Sequence, residues 1–253
     1  MSMFGVNYLS KAEQVAKQLL EKITESNLEP GQTVGTEAVL LEAFNVSRPT
    51  LREGIRILET HGIVGQRPGP GGGIVVQRPS LETLAMSFSV YLRFNSIPFM
   101  DVLSTREVIE PALAAEAALR GTQADFAEMT ASNDRMKALV DEQDQEEFVN
   151  ENRVFHGIVA RASGNEVLNA FWQTISMLAS GEHHGVRYTF GNRRHVTEAH
   201  EGIIAACKKR DAAAAAKAMS KHVGELEHLV REHYHHLLGK PIRIMSRTSR
   251  KKA

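Results

Sequence analysis

The segment from Ser47 to Arg56, SRPTLREGIR, has the pattern of a helix with two contrasting faces. Serine is a favoured N-cap residue, and a proline is tolerated in the first turn, where its missing N–H has no partner to lose. Three arginines recur at every fourth position and share one stripe, whereas three apolar residues fall on another face. The arginines are Arg48, Arg52 and Arg56, and the apolar residues are Leu51, Ile55 and Leu58. The pattern predicts a helix that packs on one side and presents positive charge on the other.

The surrounding chain predicts a helix-turn-helix with a wing. A short apolar helix is expected from Thr36 to Phe44, followed by a two-residue turn and by the arginine-bearing helix, which should end before Gly62. The β-prone runs 63–66 and 74–76 flank the turn sequence RPGPGGG and predict a β-hairpin. An earlier helix, residues 10–26, is predicted by the capping-box pattern at its start.

The chain after residue 78 predicts a second, all-helical domain. Residues 81–238 show helical periodicity without a convincing strand, and turn residues divide them into about seven helices. The expected breaks are residues 95–98, 121–122, 141–144, 164–165, 188–192 and 209–211. The predicted fold class is therefore mainly α, with a winged helix-turn-helix domain at 1–78 and a helical-bundle domain at 79–238. Residues 239–253 contain six basic residues and no acidic one, and we expect a disordered tail there.

The overall charge gives no support for nucleic-acid binding, since 30 basic residues balance 30 acidic ones. From Ser47 to Arg78, however, the sequence contains five arginines and two glutamates, so positive charge is concentrated where the helix-turn-helix is expected. A single cysteine excludes an intrachain disulfide and a cysteine-rich zinc module. No apolar run reaches the ~18 to 20 residues of a membrane span. These features are typical of a cytoplasmic protein.

A basic helix in this setting has the dimensions to enter the major groove of DNA. Arg48 and Thr50 fall in its first turn, the part that usually meets base edges, and Arg67 lies at the wing, which can approach phosphate. A charged stripe is more often a solvated surface, and the GPGGG run is an alternative phosphate-binding loop. That run lacks the lysine and the following helix of a P-loop. The order helix, turn, helix and wing favours sequence-specific DNA binding.

Histidine placement in the helical domain indicates a metal site. His200 and His222 lie about ten residues on either side of the turn at 209–211, so both reach a level roughly 15 Å along an antiparallel helix hairpin. Asn152 and His156 lie one turn apart on another apolar helix. Three imidazoles and an oxygen ligand suit Zn²⁺ or another borderline divalent ion. Isolated helical histidines are more often surface or core residues, and that alternative stays open.

Residues 36–76, TEAVLLEAFNVSRPTLREGIRILETHGIVGQRPGPGGGIVV, resemble the winged helix-turn-helix of GntR-superfamily transcription factors. The run LEPG at 28–31 is similar to that family's turn after its first helix. The resemblance implies that operator DNA is contacted from the second helix of the motif and from the wing. These positions are Ser47, Arg48, Thr50, Arg52, Arg56, Arg67 and Gly69. Many relatives carry Leu-Pro-Ser-Glu-Arg where this chain has VGTEA at 34–38, so one arginine contact is missing here.

The chain from residue 81 onward resembles the all-helical FCD effector domain of the FadR-like branch of that superfamily. In its metal-binding members an acidic residue and three histidines hold the ion. The matching positions are Asn152, His156, His200 and His222. Zn²⁺ is expected, with Ni²⁺ or Mn²⁺ as alternatives, and asparagine in place of aspartate removes a negative charge and weakens the site. Asp101 is a further acidic candidate, whereas Glu151 should face about 100° away from the site.

Arg106 is the expected binding residue for a small organic acid. A guanidinium on an apolar helix needs a partner, and a carboxylate provides a bidentate one. The resemblance implies the same role, because an arginine there helps hold acidic effectors beside the metal. The alternative is an intrahelical ion pair with Glu110, four residues on.

Together these features predict a ligand-responsive transcriptional regulator, in the repressor mode that is commoner in the resembling family. A homodimer would place two recognition helices roughly 34 Å apart on a palindromic operator, and an organic acid bound with the metal would change that separation. One alternative is a metal-dependent enzyme that uses the same histidines, and another is a metal-free acyl-CoA sensor. The sequence near the histidines offers no obvious general base, and a lipid pocket needs no histidine triad. We therefore expect a regulator and not an enzyme.

Overall fold

The computed structural model describes residues 9–69, 71–141, 144–179 and 187–242. The chain forms two compact units, residues 1–83 and 84–253, and the boundary predicted at residue 78 lies just before the observed division. Within the described residues, no helix is both long and apolar enough to cross a membrane. Each unit is described separately below.

The N-terminal unit is a winged helix-turn-helix, which confirms the predicted fold class. Its elements are α1 (Lys11–Glu25), β1 (Thr33–Gly35), α2 (Glu37–Phe44), α3 (Arg48–Thr60), β2 (Val64–Arg67) and β3 (Gly73–Val76). The two wing strands β2 and β3 pair antiparallel, with Val64 opposite Val76 and Arg67 opposite Gly73. Strand β1 pairs antiparallel with the free edge of β3, which the sequence had not predicted because three residues are too short a run to show alternation.

Local signals set the helix ends of this unit. Ser10 and Glu13 form the predicted capping box, since each side chain accepts a hydrogen bond from the other residue's backbone N–H at 3.2 and 2.7 Å. Asn45 ends α2 in the left-handed conformation, at φ 48° and ψ 52°, which asparagine tolerates better than most residues. Ser47 caps α3 by accepting the N–H of Thr50 at 3.4 Å. The two-residue turn is thereby fixed by its own sequence.

Helices α1 and α3 approach each other closely at Gly54. A Cβ at this position would lie 2.7 Å from Cγ1 of Val15 and 2.9 Å from the carbonyl oxygen of Ala12. The absence of a side chain therefore allows the apolar face of α3 to pack directly on α1. Leu19, Leu51 and other apolar residues of these helices form the buried core of the unit.

The second unit is a helical bundle with the seven predicted helices in the described residues. They are α4 (Leu81–Phe94), α5 (Phe99–Arg120), α6 (Gln123–Ala138), α7 (Gln145–Ala162), α8 (Glu166–Leu178), α9 (Phe190–Lys208) and α10 (Ala212–His233), and a 3₁₀ turn follows at His235–Leu237. Helix α5 contacts α7, α8, α9 and α10, so it is the central element of the bundle. Its core is apolar and aromatic, with Phe126, Phe148 and Phe155 fully buried. Helices α4, α5, α6, α7 and α9 end within three residues of a predicted break, whereas α8 ends at Leu178, ten residues before the break predicted at 188–192, and α10 ends at His233, before the predicted end at 238.

The prediction of a disordered tail is wrong for residues 239–242. The N–H of Phe99 donates to the carbonyl of Lys240 at 3.0 Å, and the N–H of Ile242 donates to the carbonyl of Ile97 at 3.2 Å. Ile242 is 1% exposed and packs with Leu92 and Phe99. The basic composition of the tail concealed one apolar residue whose burial holds the segment against the α4–α5 junction. Residues 243–253 of the predicted tail lie outside the described residues.

The close approach at Gly54 predicts that Gly54→Ala destabilises the N-terminal unit by about 1–3 kcal/mol, because the new methyl group meets the backbone of α1. The matched control is Gly202→Ala in α9, where nothing lies within 4 Å of the added Cβ, and which should be neutral or stabilising by up to ~1 kcal/mol. Urea unfolding followed by circular dichroism measures both units. The fluorescence of Trp172, the single tryptophan, reports the second unit alone.

Gly54→Ala should therefore shift the circular dichroism transition and leave the tryptophan transition in place. Equal stability of Gly54→Ala and wild type by circular dichroism would show that α1 and α3 are not in close contact at this point.

Candidate functional site

Three buried histidines converge in the core of the helical unit. His156 is on α7, His200 on α9 and His222 on α10. The Nε2 atom of His222 lies 3.1 Å from Nε2 of His156 and 3.2 Å from Nε2 of His200. One nitrogen from each ring lies within 4.8 Å of the others, and the three side chains are 0 to 7% exposed. The structure thus brings His200 and His222 together, as helix-hairpin geometry predicts, and adds His156 from α7.

The chemistry of this cluster fits a divalent metal. Tetrahedral Zn²⁺ with Zn–N bonds of about 2.0–2.1 Å places its ligand nitrogens about 3.3–3.4 Å apart, close to the observed separations. Burial, reinforced by the neighbouring imidazoles, lowers the pKa values of His200 and His222 well below the ordinary histidine value. Both rings are therefore neutral near pH 7, as metal ligation requires. The Nδ1 atoms of these two rings are buried without a hydrogen-bond partner among the described residues.

Glu110 is the site residue that sequence reasoning misjudged. It is 1% exposed on α5, and its Oε2 atom lies 2.5 Å from Nδ1 of His156. A carboxylate at Nδ1 accepts a hydrogen bond from the ring N–H on that side, which keeps the proton at Nδ1 and leaves the lone pair of Nε2 free for a metal. The sequence had identified Glu110 only as an alternative partner of Arg106. A buried acid on the apolar helix α5 was the available signal, but the contact with α7 depends on packing.

Arg106 is bound to the same carboxylate. Its Nε donates to Oε1 of Glu110 in a short ion pair, so the predicted intrahelical pair is present. Burial alone would raise the pKa of Glu110, but the charges of Arg106 and His156 outweigh it and hold that pKa far below the ordinary glutamate value. Burial likewise opposes the charge on Arg106, and the facing carboxylate again prevails, which raises the pKa of the guanidinium. Arg106, Glu110 and His156 thus form one continuous charged network.

A cavity of about 60 Å³ lies beside the histidine cluster. Arg106, His156 and His222 line it, so Arg106 faces the cavity although it is paired with Glu110. Val196 and Val223 add apolar wall. Four further polar residues line this space. They are Tyr188, Asn192, His195 and Glu225.

The three candidate oxygen ligands, Asn152, Glu151 and Asp101, lie in different surroundings. Asn152 lines the cavity one turn before His156, and its Oδ1 atom is buried without a hydrogen-bond partner among the described residues. Glu151 faces away, as predicted, and binds Ser132 Oγ at 2.6 Å and Arg135 Nη2 at 2.7 Å. Asp101 is exposed at the start of α5. Asn152 is therefore the oxygen donor that the geometry favours.

The second candidate site is the basic surface of the helix-turn-helix. Arg48 and Arg56 are exposed on α3. Arg52 is held by Glu37 of α2 through two contacts, Nε to Oε1 at 3.1 Å and Nη2 to Oε2 at 3.2 Å. Its guanidinium therefore joins α3 to α2, the two helices of the motif. Ser47 and Thr50 lie together at the helix start, where their hydroxyl oxygens are 2.8 Å apart.

The wing presents one further arginine and a glycine tip. Arg67 at the end of β2 donates from Nη2 to the carbonyl of Gly31 at 3.2 Å, which holds its side chain beside the turn after α1. Gly69 is exposed at φ +95°, a backbone conformation that favours glycine, and a Cβ added there would meet no atom within 4 Å beyond the neighbouring residues of the chain. The backbone at this position is accessible to a close partner such as a phosphate.

The buried network predicts that Glu110→Ala costs about 3–5 kcal/mol of unfolding free energy, because it leaves the Arg106 cation buried and unpaired. Glu116→Ala is the matched control on the same helix. Glu116 forms an i,i+4 pair with Arg120 at 2.7 Å, but both side chains are exposed, so the loss should stay below about 1 kcal/mol. Urea unfolding followed by Trp172 fluorescence measures both variants. Similar small losses in the two variants would contradict a desolvated network at Glu110.

Comparison with known proteins identifies both units. A family model described as bacterial regulatory proteins, gntR family, matches residues 11–76, and a model of the FCD domain matches residues 101–225. The Uxu operon regulator of Haemophilus influenzae is 27% identical over 218 residues, which are 83% of this chain and 78% of that protein. The galactonate operon transcriptional repressor of Escherichia coli K12 is 26% identical over 172 residues, which are 67% of this chain and 74% of that protein.

A solved structure of a Streptococcus agalactiae GntR protein has a TM-score of 0.59 to this chain at 25% identity, and the match covers 86% of this chain and 99% of that one. The two family models together cover most of the chain, in the order in which the two units were predicted. The chain belongs to the GntR family of DNA-binding transcriptional regulators and carries an FCD domain after its helix-turn-helix.

Proposed function

We propose that this regulator responds to a small carboxylate, which binds together with a divalent metal in the FCD domain. The observation that carries the proposal is the cluster of three buried imidazoles, two of which, His156 and His222, line one cavity together with the Arg106 guanidinium. An apolar core has no need of such a polar cluster, because each buried polar group costs free energy unless it is paired. Binding of a ligand there offsets that cost.

The metal would be held by Nε2 of His156, His200 and His222, with Oδ1 of Asn152 as a fourth donor. We propose Zn²⁺, with Ni²⁺ or Mn²⁺ as alternatives, because imidazole suits borderline ions. When bound, the ion would supply a positive charge that attracts a carboxylate, and zinc can expand from four to five ligands to accept its oxygen. Glu110 fixes the ring of His156 for this purpose. The neutral amide of Asn152 makes the site weaker than an aspartate would.

The effector would be a small organic anion. A cavity of about 60 Å³ has room for about four to six water-sized groups, which suits a compact organic acid and not an acyl-CoA. Arg106 would orient the carboxylate from the side of α5. The related galactonate operon repressor is named for the operon of an organic acid, which supports the class without specifying the compound.

The DNA-binding unit would read a palindromic operator as a homodimer. Arg48 and Thr50 at the start of α3 would contact base edges, and Ser47, Arg56, Arg67 and Gly69 would contact the backbone. Because Arg52 is paired with Glu37, we assign it to positioning α3 against α2 as well as to the phosphate contact. We propose the repressor mode, and placement in the FadR-like branch stays a prediction.

An enzymatic role of the histidine cluster finds less support. The carboxylate at the cluster, Glu110, is already bound by Arg106 and His156, and it is buried. A general base needs to accept a proton from a substrate, and a carboxylate whose pKa lies this far below the ordinary range accepts one poorly. The geometry suits binding better than proton transfer.

Purified full-length protein is predicted to retain about one zinc ion per chain after dialysis against Zn²⁺, as measured by mass spectrometry of the metal. His200→Ala should lose that ion. His228→Ala is the matched control, because His228 is also on a helix beside a glutamate but its side chain is 71% exposed. At a free zinc concentration of about 100 Kd, the metal should stabilise wild type by about 2.7 kcal/mol and leave His200→Ala unchanged. Equal zinc content in all three proteins would exclude the cluster as the site.

Arg48→Ala is predicted to weaken binding to an operator selected by the wild-type protein from random-sequence DNA. If the Arg48 side chain contacts a base edge, we expect a loss of about 1–3 kcal/mol of binding free energy, because the edge of that base offers hydrogen bonds that the other bases do not. Arg153→Ala, an exposed arginine of α7, should bind as wild type does. Fluorescence anisotropy at fixed salt measures both affinities. A reporter gene behind the selected operator then separates repression from activation, and normal operator affinity of Arg48→Ala would refute recognition by α3.

A further inference from the structure

An acidic residue lies in the same cavity as the proposed effector site. Glu225 on α10 and His195 on α9 both line it, and their Oε2 and Nε2 atoms are 2.9 Å apart. The two side chains are partly exposed, at 33% and 52%, so the pair is accessible to solvent. A carboxylate is an unexpected neighbour for an anion-binding pocket, because like charges repel. The negative charge of Glu225 therefore affects which ligands can bind in the cavity.

The charges at the site decide which anions fit. Arg106 and Glu110 pair with each other, and Glu225 adds one further negative charge to the lining of the cavity. A divalent ion on the histidine cluster leaves a single net positive charge. One carboxylate neutralises that charge, whereas a zwitterion leaves it unbalanced. A second carboxylate on the same ligand would add a surplus negative charge close to Glu225.

Resting on the proposed function, we propose that Glu225 is a specificity-determining residue that excludes dicarboxylates and admits a monocarboxylate bearing a hydroxyl group. The carboxylate of Glu225 accepts a hydrogen bond from a hydroxyl, and it repels a second carboxylate at the same position. Asn192 and Tyr188, which also line the cavity, offer further hydrogen-bonding groups for hydroxyls. The ligand class is thus a compact hydroxy monocarboxylate.

The test uses probes that differ in charge and not in shape. Malate and its monoamide, malamate, have the same number of heavy atoms, but malamate carries a neutral amide in place of the second carboxylate. Lactate serves as a third probe, small enough to report the carboxylate site itself. Isothermal titration calorimetry on zinc-loaded full-length protein at pH 8 gives the affinities.

Wild type is expected to bind malamate about tenfold or more tightly than malate. Glu225→Gln should reduce that ratio to near one by gaining affinity for malate. The matched control is Glu232→Gln on the same helix, since Glu232 also pairs with a histidine, His228, at 3.2 Å, but with 54% of its side chain exposed. The control should retain the wild-type ratio.

Each outcome decides between explanations. If lactate fails to bind wild type, the carboxylate effector of the proposed function fails, and the role of Glu225 fails with it. If lactate binds but the malamate to malate ratio is near one in wild type, or is unchanged in Glu225→Gln, the selectivity role is wrong and the proposed function stands. If lactate binds and neither larger probe binds wild type or Glu225→Gln, shape and not the charge of Glu225 limits the pocket, and the selectivity role is again wrong.

Discussion

The buried contact of Glu110 with both Arg106 and His156 is the interaction on which the helical domain depends. It places a carboxylate, a guanidinium and an imidazole in the core, and each would be costly to bury alone. Paired, they fix the face of α5 that meets α7 and the orientation of the His156 ring. The same network leaves Arg106 at the cavity wall and Nε2 of His156 toward the other histidines. Stability and the proposed ligand binding therefore rest on the same three side chains.

The N-terminal unit depends on a different constraint, the close approach of α1 and α3 at Gly54. That contact buries the apolar face of α3 and turns its arginines outward. Arg52, held by Glu37, then fixes α3 against α2 from the exposed side. The recognition helix is thus supported on one face by packing and on the other by an ion pair, which leaves Arg48 exposed at its start.

Much of the fold was predictable from the sequence because its signals are local. Capping residues, glycine and proline turns and helical periodicity act within a few residues, so all seven bundle helices and the winged motif were predicted in order. The errors came where a short segment is stabilised by distant partners. Strand β1 exists because β3 offers an edge to it, and residues 239–242 are ordered because Ile242 fills a space beside Phe99.

The sequence by itself determined the class of the protein, and it placed His200 and His222 together because residues equidistant from a helix turn reach the same level. His156, on another helix, was added by its spacing from Asn152 and by the family resemblance. The sequence left two explanations for Arg106, an ion pair with Glu110 or a contact with a ligand. The structure contains the ion pair, and it also places the Arg106 side chain on the wall of the cavity where a ligand would lie. Only the tertiary structure decided that Glu110 faces His156 and that Glu225 and His195 meet at the cavity. Such contacts depend on how each helix is rotated about its axis against its neighbours, and that rotation is set by the packing of the whole core.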